Sequence, residues 1–360
     1  MIIKSIKLTN FRNWLSNEFD FSDVTIFIGP NGRGKTNVLE AVWLISTGRS
    51  WRTNRDAESI NWENDFAKIE AEVSGDKSVK IDLVLQKIPT KDRPQPKILK
   101  VNSTKKRLID LLGILPAVLF SPESLEILDG APGLRRKFLD VMLSQIDKKY
   151  ALNLLSFNKV LKERNKLLQM ISLRRGKPDE LEFWDQKLVE AGRAIIAQRT
   201  SVIKFFNQTL DKAYSEISGQ KETLKLSYKA SVEEDRFMDI LTIDRDRDIS
   251  QNTTSHGPHR DDLVFLLDGR DITTFASRGE YRTALVALKM AELEFMSEKL
   301  GQRPILLLDD IFSELDHDRR MHLAKIMSGQ QTIITTTDLD HIEKSLQKTA
   351  RIVEIGKIDK

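Results

Sequence analysis

Gly29-Pro30-Asn31-Gly32-Arg33-Gly34-Lys35-Thr36 carries the clearest chemistry in the chain, matching the spacing G-x-x-x-x-G-K-[ST] of a phosphate-cradling loop. Glycines let the backbone curl so that successive N–H groups face phosphate oxygens, and the following helix adds the positive end of its dipole. Lys35 is then placed to reach the β- and γ-phosphates of a nucleoside triphosphate, and the Thr36 hydroxyl to ligate Mg2+. The expected nucleotide-binding residues are Gly29, Pro30, Asn31, Gly32, Arg33, Gly34, Lys35, Thr36 and Asn37. A Gly-rich turn would match by accident in on the order of one chain in a hundred. The strand-like Val24 to Ile28 before the loop and the helical spacing of Val38, Leu39, Val42 and Ile45 after it argue against accident.

Two further clusters gain meaning beside that loop. Ile305-Leu306-Leu307-Leu308-Asp309-Asp310 reads as a buried strand ending in paired carboxylates. Core strands often end in Asp, but next to a triphosphate such a pair can hold Mg2+ through Asp309 and orient or deprotonate the attacking water through Asp310. Ser277-Arg278-Gly279-Glu280 precedes a helical run, Tyr281 to Phe295. A Ser-capped helix start is common in any protein, yet its unpaired N–H groups and dipole also suit an anion. Because the chain's own loop already cradles one triphosphate, an anion at this second site would be held by another copy.

These residues need a scaffold. At 360 residues the chain exceeds what one hydrophobic core usually organises, so two lobes are expected. Hydrophobic residues are 40% and charged residues 31%, too apolar for disorder. No apolar run reaches the ~18–20 residues that span a bilayer, so no membrane partner is expected. Met1 to Phe11 alternates as a first strand does and lacks the apolar core of a signal peptide. The absence of cysteine excludes disulfides and thiolate metal sites and fits a reducing compartment, the cytoplasm. Ala67 to Val73 and Val79 to Leu85 alternate as strands, and the Pro- and Lys-rich Ile88 to Lys100 suggests a mobile connection. From Glu123 to about Gly219 the spacing is helical, with buried stripes expected from Phe138, Val141 and Met142 and from Leu152, Leu155, Val160 and Leu161. Strand-like alternation returns at Leu224 to Tyr228 and Leu263 to Leu267. The pattern is a discontinuous α/β head, residues 1–120 and 244–360, with a mainly helical lobe, residues 121–243, inserted in it.

The order of these segments, followed by Ser313-Glu314-Leu315-Asp316, resembles an ABC-type P-loop ATPase head of the SMC-related family. The resemblance implies that Ser277, Gly279 and Glu280 form the signature of one subunit, closing in trans over ATP held by the other. Ser313 and Asp316 would belong to the D-loop at the dimer seam. Thr337 stands where many members carry a γ-phosphate-sensing His, and Glu280 stands where many carry Gln. Within the family the chain resembles the RecF group nearly end to end. The residues that carry this are Leu8 to Asn13, Gly29 to Asn37, Gly48 to Arg52, Phe120 to Glu123, Arg135 to Asp140, Gly257 to Asp262 and Leu308 to Asp316. Membership implies ATP and Mg2+ as cofactors, ATP-dependent homodimerisation on double-stranded DNA or single/double-strand junctions, and slow hydrolysis. It also implies work with RecO and RecR to load recombinase at gaps. An SMC head is interrupted by a very long coiled coil; at 1.5 Å per residue, a helical pair within an insertion of roughly 120 residues reaches at most ~90 Å.

Between Arg135 and Lys177 the sequence holds twelve Lys or Arg and three Asp or Glu, with Tyr150 and Phe157 nearby. Such density suits phosphate contacts, and Arg135, Arg136, Lys137, Lys148 and Lys149 are the candidate DNA ligands, although charge runs are often solvated faces. Arg12, Arg49 and Arg52 could bind nucleotide phosphate, touch DNA or brace the fold. His259 reads as a structural hydrogen-bonder, and Asp261 and Asp262 as partners of nearby arginines. Two other readings share the ATPase motifs: an SMC-like or transporter-type ATPase with a different client, and an ATP-binding clip that barely hydrolyses.

Overall fold

A computed structural model describes residues 1–75, 78–87 and 97–356. The chain divides into two compact units, Met1–Ser124 with Glu292–Lys360, and Leu125–Ala291. In chain order the first unit begins with β1 (Ile2–Phe11), β2 (Trp14–Asp20), β3 (Val24–Ile28), α1 (Lys35–Thr47), β4 (Phe66–Ser74), β5 (Val79–Gln86), β6 (Lys97–Val101), β7 (Thr104–Lys106) and β8 (Ala117–Phe120). The second unit holds α2 (Glu126–Asp129), α3 (Pro132–Ile146), α4 (Lys148–Ser172), α5 (Leu181–Ser218), β9 (Leu224–Lys229), α6 (Phe237–Ile243), α7 (Arg245–Gln251), β10 (Asp262–Leu267), β11 (Arg270–Asp271) and α8 (Ile272–Phe275). Helix α9 (Arg278–Leu300) runs on into the first unit, which ends with β12 (Ile305–Asp309), α10 (Ile311–Glu314), α11 (His317–Ile326), β13 (Thr332–Thr336), α12 (Lys344–Thr349) and β14 (Arg351–Glu354).

The first unit is built on two sheets. One is antiparallel in the order β2-β1-β4-β5-β6-β7; the other is parallel in the order β14-β3-β13-β12-β8. Strand β4 alternates buried and half-buried residues along its length, the signature of a sheet with one covered face. Strands β8, β12 and β13 are buried at every residue, as central parallel strands are. Helix α1 contacts β1 and β4 of one sheet and β8, β12 and β13 of the other. That explains why Val38, Leu39, Ala41, Val42, Leu44 and Ile45 are buried around its circumference rather than along one stripe.

The second unit is mainly helical. Helices α4 and α5, of 25 and 38 residues, pack side by side, and α5 also covers β9 of a small antiparallel sheet, β11-β10-β9. Two expectations change here. The return to the head was placed at residue 244, but β10, β11 and α8 stay with the helical unit because β10 pairs with β9 and packs on α3. Leu152 and Leu155 of α4 are exposed, and the buried stripe runs instead through Ala151, Phe157, Val160, Arg164, Leu167 and Leu168. In the first unit, Lys97–Lys100 belong to strand β6 rather than to a mobile connection, and the remainder of that connection, residues 88–96, lies outside the described residues.

Candidate nucleotide site

The phosphate loop joins the carboxyl end of β3 to the start of α1, where open parallel sheets place ligands. Its glycines answer two separate needs. A Cβ at Gly29 would lie 2.4 Å from the Ile355 carbonyl oxygen, so the loop can pass β14 only without a side chain. Gly34 has φ 101°, and a Cβ there would meet the Asn13 side chain at 2.5 Å. Asn31 and Gly32 are exposed, and Pro30 and Arg33 lie at or near the surface around the loop.

Lys35 is buried, and its Nζ donates to the carbonyls of Gly29 at 2.7 Å and Pro30 at 2.9 Å. Burial pulls its pKa below the ordinary lysine value, against the opposite pull of Asp310 and Asp309. A half-desolvated ammonium in a carbonyl ring is a receptive partner for an anion.

The acidic strand arrives two strands away, with β13 between. Register pairs Asp309 with Thr335 and Thr336 with Ile28, so β13 sets its hydroxyls between the phosphate loop and the carboxylates. Thr36 Oγ1 donates to Asp309 Oδ1 at 2.8 Å, and Thr335 Oγ1 donates to the same oxygen at 2.7 Å. Burial raises the Asp309 pKa; the Thr335 and Thr36 hydrogen bonds oppose it, Glu123 adds to it, and Arg52 opposes it. Asp310 begins α10 in the left-handed region at φ 50°, its amide held by Thr335 Oγ1 at 3.1 Å. Its side-chain Oδ1 is buried with no hydrogen-bond partner among the described residues. Thr36 and Asp309 thus offer paired oxygen ligands of the kind Mg2+ uses alongside phosphate oxygens, and the unpartnered Asp310 oxygen suits a water.

The remaining candidates fall in different places. Ser313 Oγ donates to the Asp310 carbonyl at 2.6 Å, tying the segment expected as the D-loop to the acidic turn. Asp316 caps α11, accepting from the Arg319 amide at 3.1 Å. Thr337 is exposed just past β13, and the threonine that contacts the acidic strand is Thr335. In the second unit Ser277 and Glu280 form a reciprocal capping box: the Ser277 amide donates to Glu280 Oε2 at 2.5 Å, and the Glu280 amide to Ser277 Oγ at 3.3 Å. Glu280 therefore fills the capping role that Gln also serves, and Ser277 and Arg278 are exposed beside half-buried Gly279.

The basic run divides by burial. Arg135 is buried, with a bidentate pair to Asp262 at 2.7 and 2.9 Å and a bond to the Gly130 carbonyl, so it braces α3 against β10 instead of facing solvent. Arg136 donates to the Asp261 carbonyl at 2.6 Å. Lys137, Lys148 and Lys149 are exposed, whereas Tyr150 and Phe157 belong to the core.

Sequence reasoning missed Glu40. It is fully buried on α1, and both its oxygens are taken by Arg12, Arg52 and Ser50. Arg12 and Arg52 thus brace the fold, while Arg49 is exposed. The only signal was an acid inside an otherwise apolar helical run.

Comparison with known proteins identifies the family and the fold. The RecF/RecN/SMC N terminal domain family matches residues 2–358. The DNA replication and repair protein RecF of Lachnoclostridium phytofermentans is 39% identical over 365 residues, covering 100% of both chains. That of Bacillus pumilus is 35% identical over 99% of this chain and 100% of its own. A solved structure described as the recombination mediator protein RecF with ATP in the RecFOR pathway superposes with a TM-score of 0.87 at 36% identity, covering 95% of this chain and 93% of that one. The Smc head domain of Pyrococcus furiosus, at 16% identity and a TM-score of 0.52, shares the fold. The chain belongs to the RecF family of ABC-type, SMC-related ATPases.

Proposed function

We propose that this protein is an ATP-switched DNA-repair protein: two copies pair around ATP, hold DNA while paired, and part on slow hydrolysis. The observation that carries the reading is the convergence of Lys35, Thr36, Asp309 and the unpartnered Asp310 oxygen at one end of the parallel sheet. Backbone N–H groups of Gly29 to Asn37 and the Lys35 ammonium take the β- and γ-phosphates. Thr36 and Asp309 would hold Mg2+, which neutralises charge on the transferring phosphoryl group. Asp310 orients the attacking water and accepts its proton. Thr335 couples the two acids, bonding one side chain and the other's amide, and Thr337, exposed just past β13, would sense the γ-phosphate.

Pairing of two copies is supported by the exposed start of α9, where the positive end of the helix dipole suits a triphosphate held by the other copy. Ser277, Gly279 and Glu280 close that site in trans, with Ser313 and Asp316 at the seam. Exposed Lys137, Lys148 and Lys149 are the candidate phosphate contacts for double-stranded DNA and junctions; Arg135 and Arg136 act behind them through Asp262 and Asp261. The relatives' name and the structural relative's RecFOR pathway support RecO and RecR as partners in loading recombinase at gaps, within the cytoplasm. No helix among the described residues is long and apolar enough to cross a membrane.

Calorimetric titration with ATP and Mg2+, alongside turnover with and without duplex DNA, tests the reading. We expect micromolar-range ATP binding and DNA-stimulated hydrolysis, both lost in Lys35→Met. Turnover that ignores DNA, or ATP binding that survives Lys35→Met, would contradict it.

A further inference from the structure

We propose that Glu40 is a positioning residue for the phosphate loop, acting through Arg12, Arg52 and the amide of Asn13; the proposal rests on the ATP-binding reading and deepens it. Glu40 faces neither solvent nor the loop, being fully buried on the second turn of α1. A buried carboxylate persists only when paired and hydrogen-bonded, and here two arginines answer one acid. Arg12 makes a bidentate contact through Nε at 2.9 Å and Nη2 at 2.6 Å. Arg52 Nη1 lies 3.3 Å from Glu40 Oε2, and Ser50 Oγ donates to Oε1 at 2.6 Å.

Both arms lead to the same amide. The first runs along the chain: Arg12 holds left-handed backbone at φ 54°, turning β1 into β2 so that Asn13 and Trp14 lie on the loop. The second runs through side chains: Arg52 Nη1 donates to Asn37 Oδ1 at 2.7 Å, and Asn37 Nδ2 donates to Asn13 Oδ1 at 2.7 Å. Asn13 Nδ2 then donates to the Arg33 carbonyl at 3.1 Å, and Trp14 Nε1 donates to the Gly34 carbonyl at 3.2 Å.

The consequence follows from peptide geometry. In a planar trans peptide the C=O of one residue and the N–H of the next point in opposite directions. Fixing the Arg33 and Gly34 carbonyls from behind therefore fixes the Gly34 and Lys35 N–H groups towards the opposite side, where a phosphate would sit. Gly34 at φ 101° has no side chain to lock this orientation itself. The Gly34 carbonyl is also held by the Asn37 and Val38 amides of α1; at the Arg33 carbonyl the Glu40 clamp supplies the lock.

Two variants test it, with nucleotide affinity and KM separated from kcat. Glu40→Gln removes the charge that gathers both arginines, and Asn13→Ala removes the relay without leaving a buried charge. Each should raise the ATP dissociation constant and KM about tenfold while kcat changes less than about threefold, at temperatures well below the melting point of either variant. The double variant should bind no worse than the weaker single one, because both act through one path. A merely structural Glu40 would lower the binding-competent fraction and leave the dissociation constant of that fraction unchanged, overturning the proposal. So would strictly multiplicative effects in the double variant, or unchanged affinity in Asn13→Ala. If the unsubstituted protein bound no ATP, the ATPase reading itself would fall, a result distinct from tight binding that ignores Glu40.

Discussion

Asp310 sits in left-handed backbone, a conformation that Asn also tolerates, so Asp310→Asn isolates the carboxylate charge from the turn that presents it. Loss of a positioned base typically removes about 10²-fold or more of rate. We expect turnover to fall by at least that factor in single-turnover assays while ATP-bound pairs persist; unchanged turnover would show that Asp310 is not the group that activates the water. A second residue-scale prediction concerns His259. Its Nε2 faces the Thr254 carbonyl at 3.1 Å, and its buried Nδ1 has no partner among the described residues. Burial pushes its pKa down to about 4; the Thr254 bond opposes this, and Arg260, Arg136 and Arg164 add to it. The unfolded chain therefore takes up the proton first, so this contribution to stability is intact above pH ~6.5 and falls as pH drops towards 4, by up to about 3 kcal/mol. Urea midpoints across that range should fall less steeply in His259→Gln; parallel curves would show that His259 is not the group responsible.

At the scale of elements, the helical unit is held by charge as well as by apolar packing. Arg164, fully buried on α4, reaches Asp185 on α5 and Asp248 on α7, each at 2.7 Å. Arg164→Ala leaves two buried carboxylates with only partial compensation from Arg245 and Ser255. It should cost about 3–5 kcal/mol in chemical denaturation; a loss below ~1 kcal/mol would mean that the acids are satisfied without it. None of this was legible in the sequence, where Arg164 counted as one more cation of a basic run. Long-range ion pairs join residues distant in the chain, and no local spacing announces them. The strands were legible, because Val79 to Leu85 alternates and Leu263 to Leu267 and Ile305 to Leu308 are short apolar runs. So was the strand-to-helix placement of the loop Gly29 to Thr36, whose residues are contiguous and chemically constrained. The second unit boundary was not: β10 reads as a strand of either unit until its pairing with β9 is known. Glu40 escaped for the same reason as Arg164, its partners lying in the β1–β2 turn and beyond α1.

For the whole molecule, the decisive property is whether two copies close around ATP. The start of α9 is exposed and its capping box complete, so a bulky cation at Ser277 should obstruct closure without disturbing the phosphate loop of the same copy. Electrostatic contacts to DNA phosphates should make DNA retention by the pair fall steeply with salt. Light scattering of the protein with ATP and Mg2+, then with added duplex DNA, measures the pairing directly. The mass should double with ATP and remain doubled on DNA, and Ser277→Arg should bind ATP yet stay monomeric. A mass that ignores ATP, or a Ser277→Arg variant that pairs as the unsubstituted protein does, would contradict the trans-closing switch.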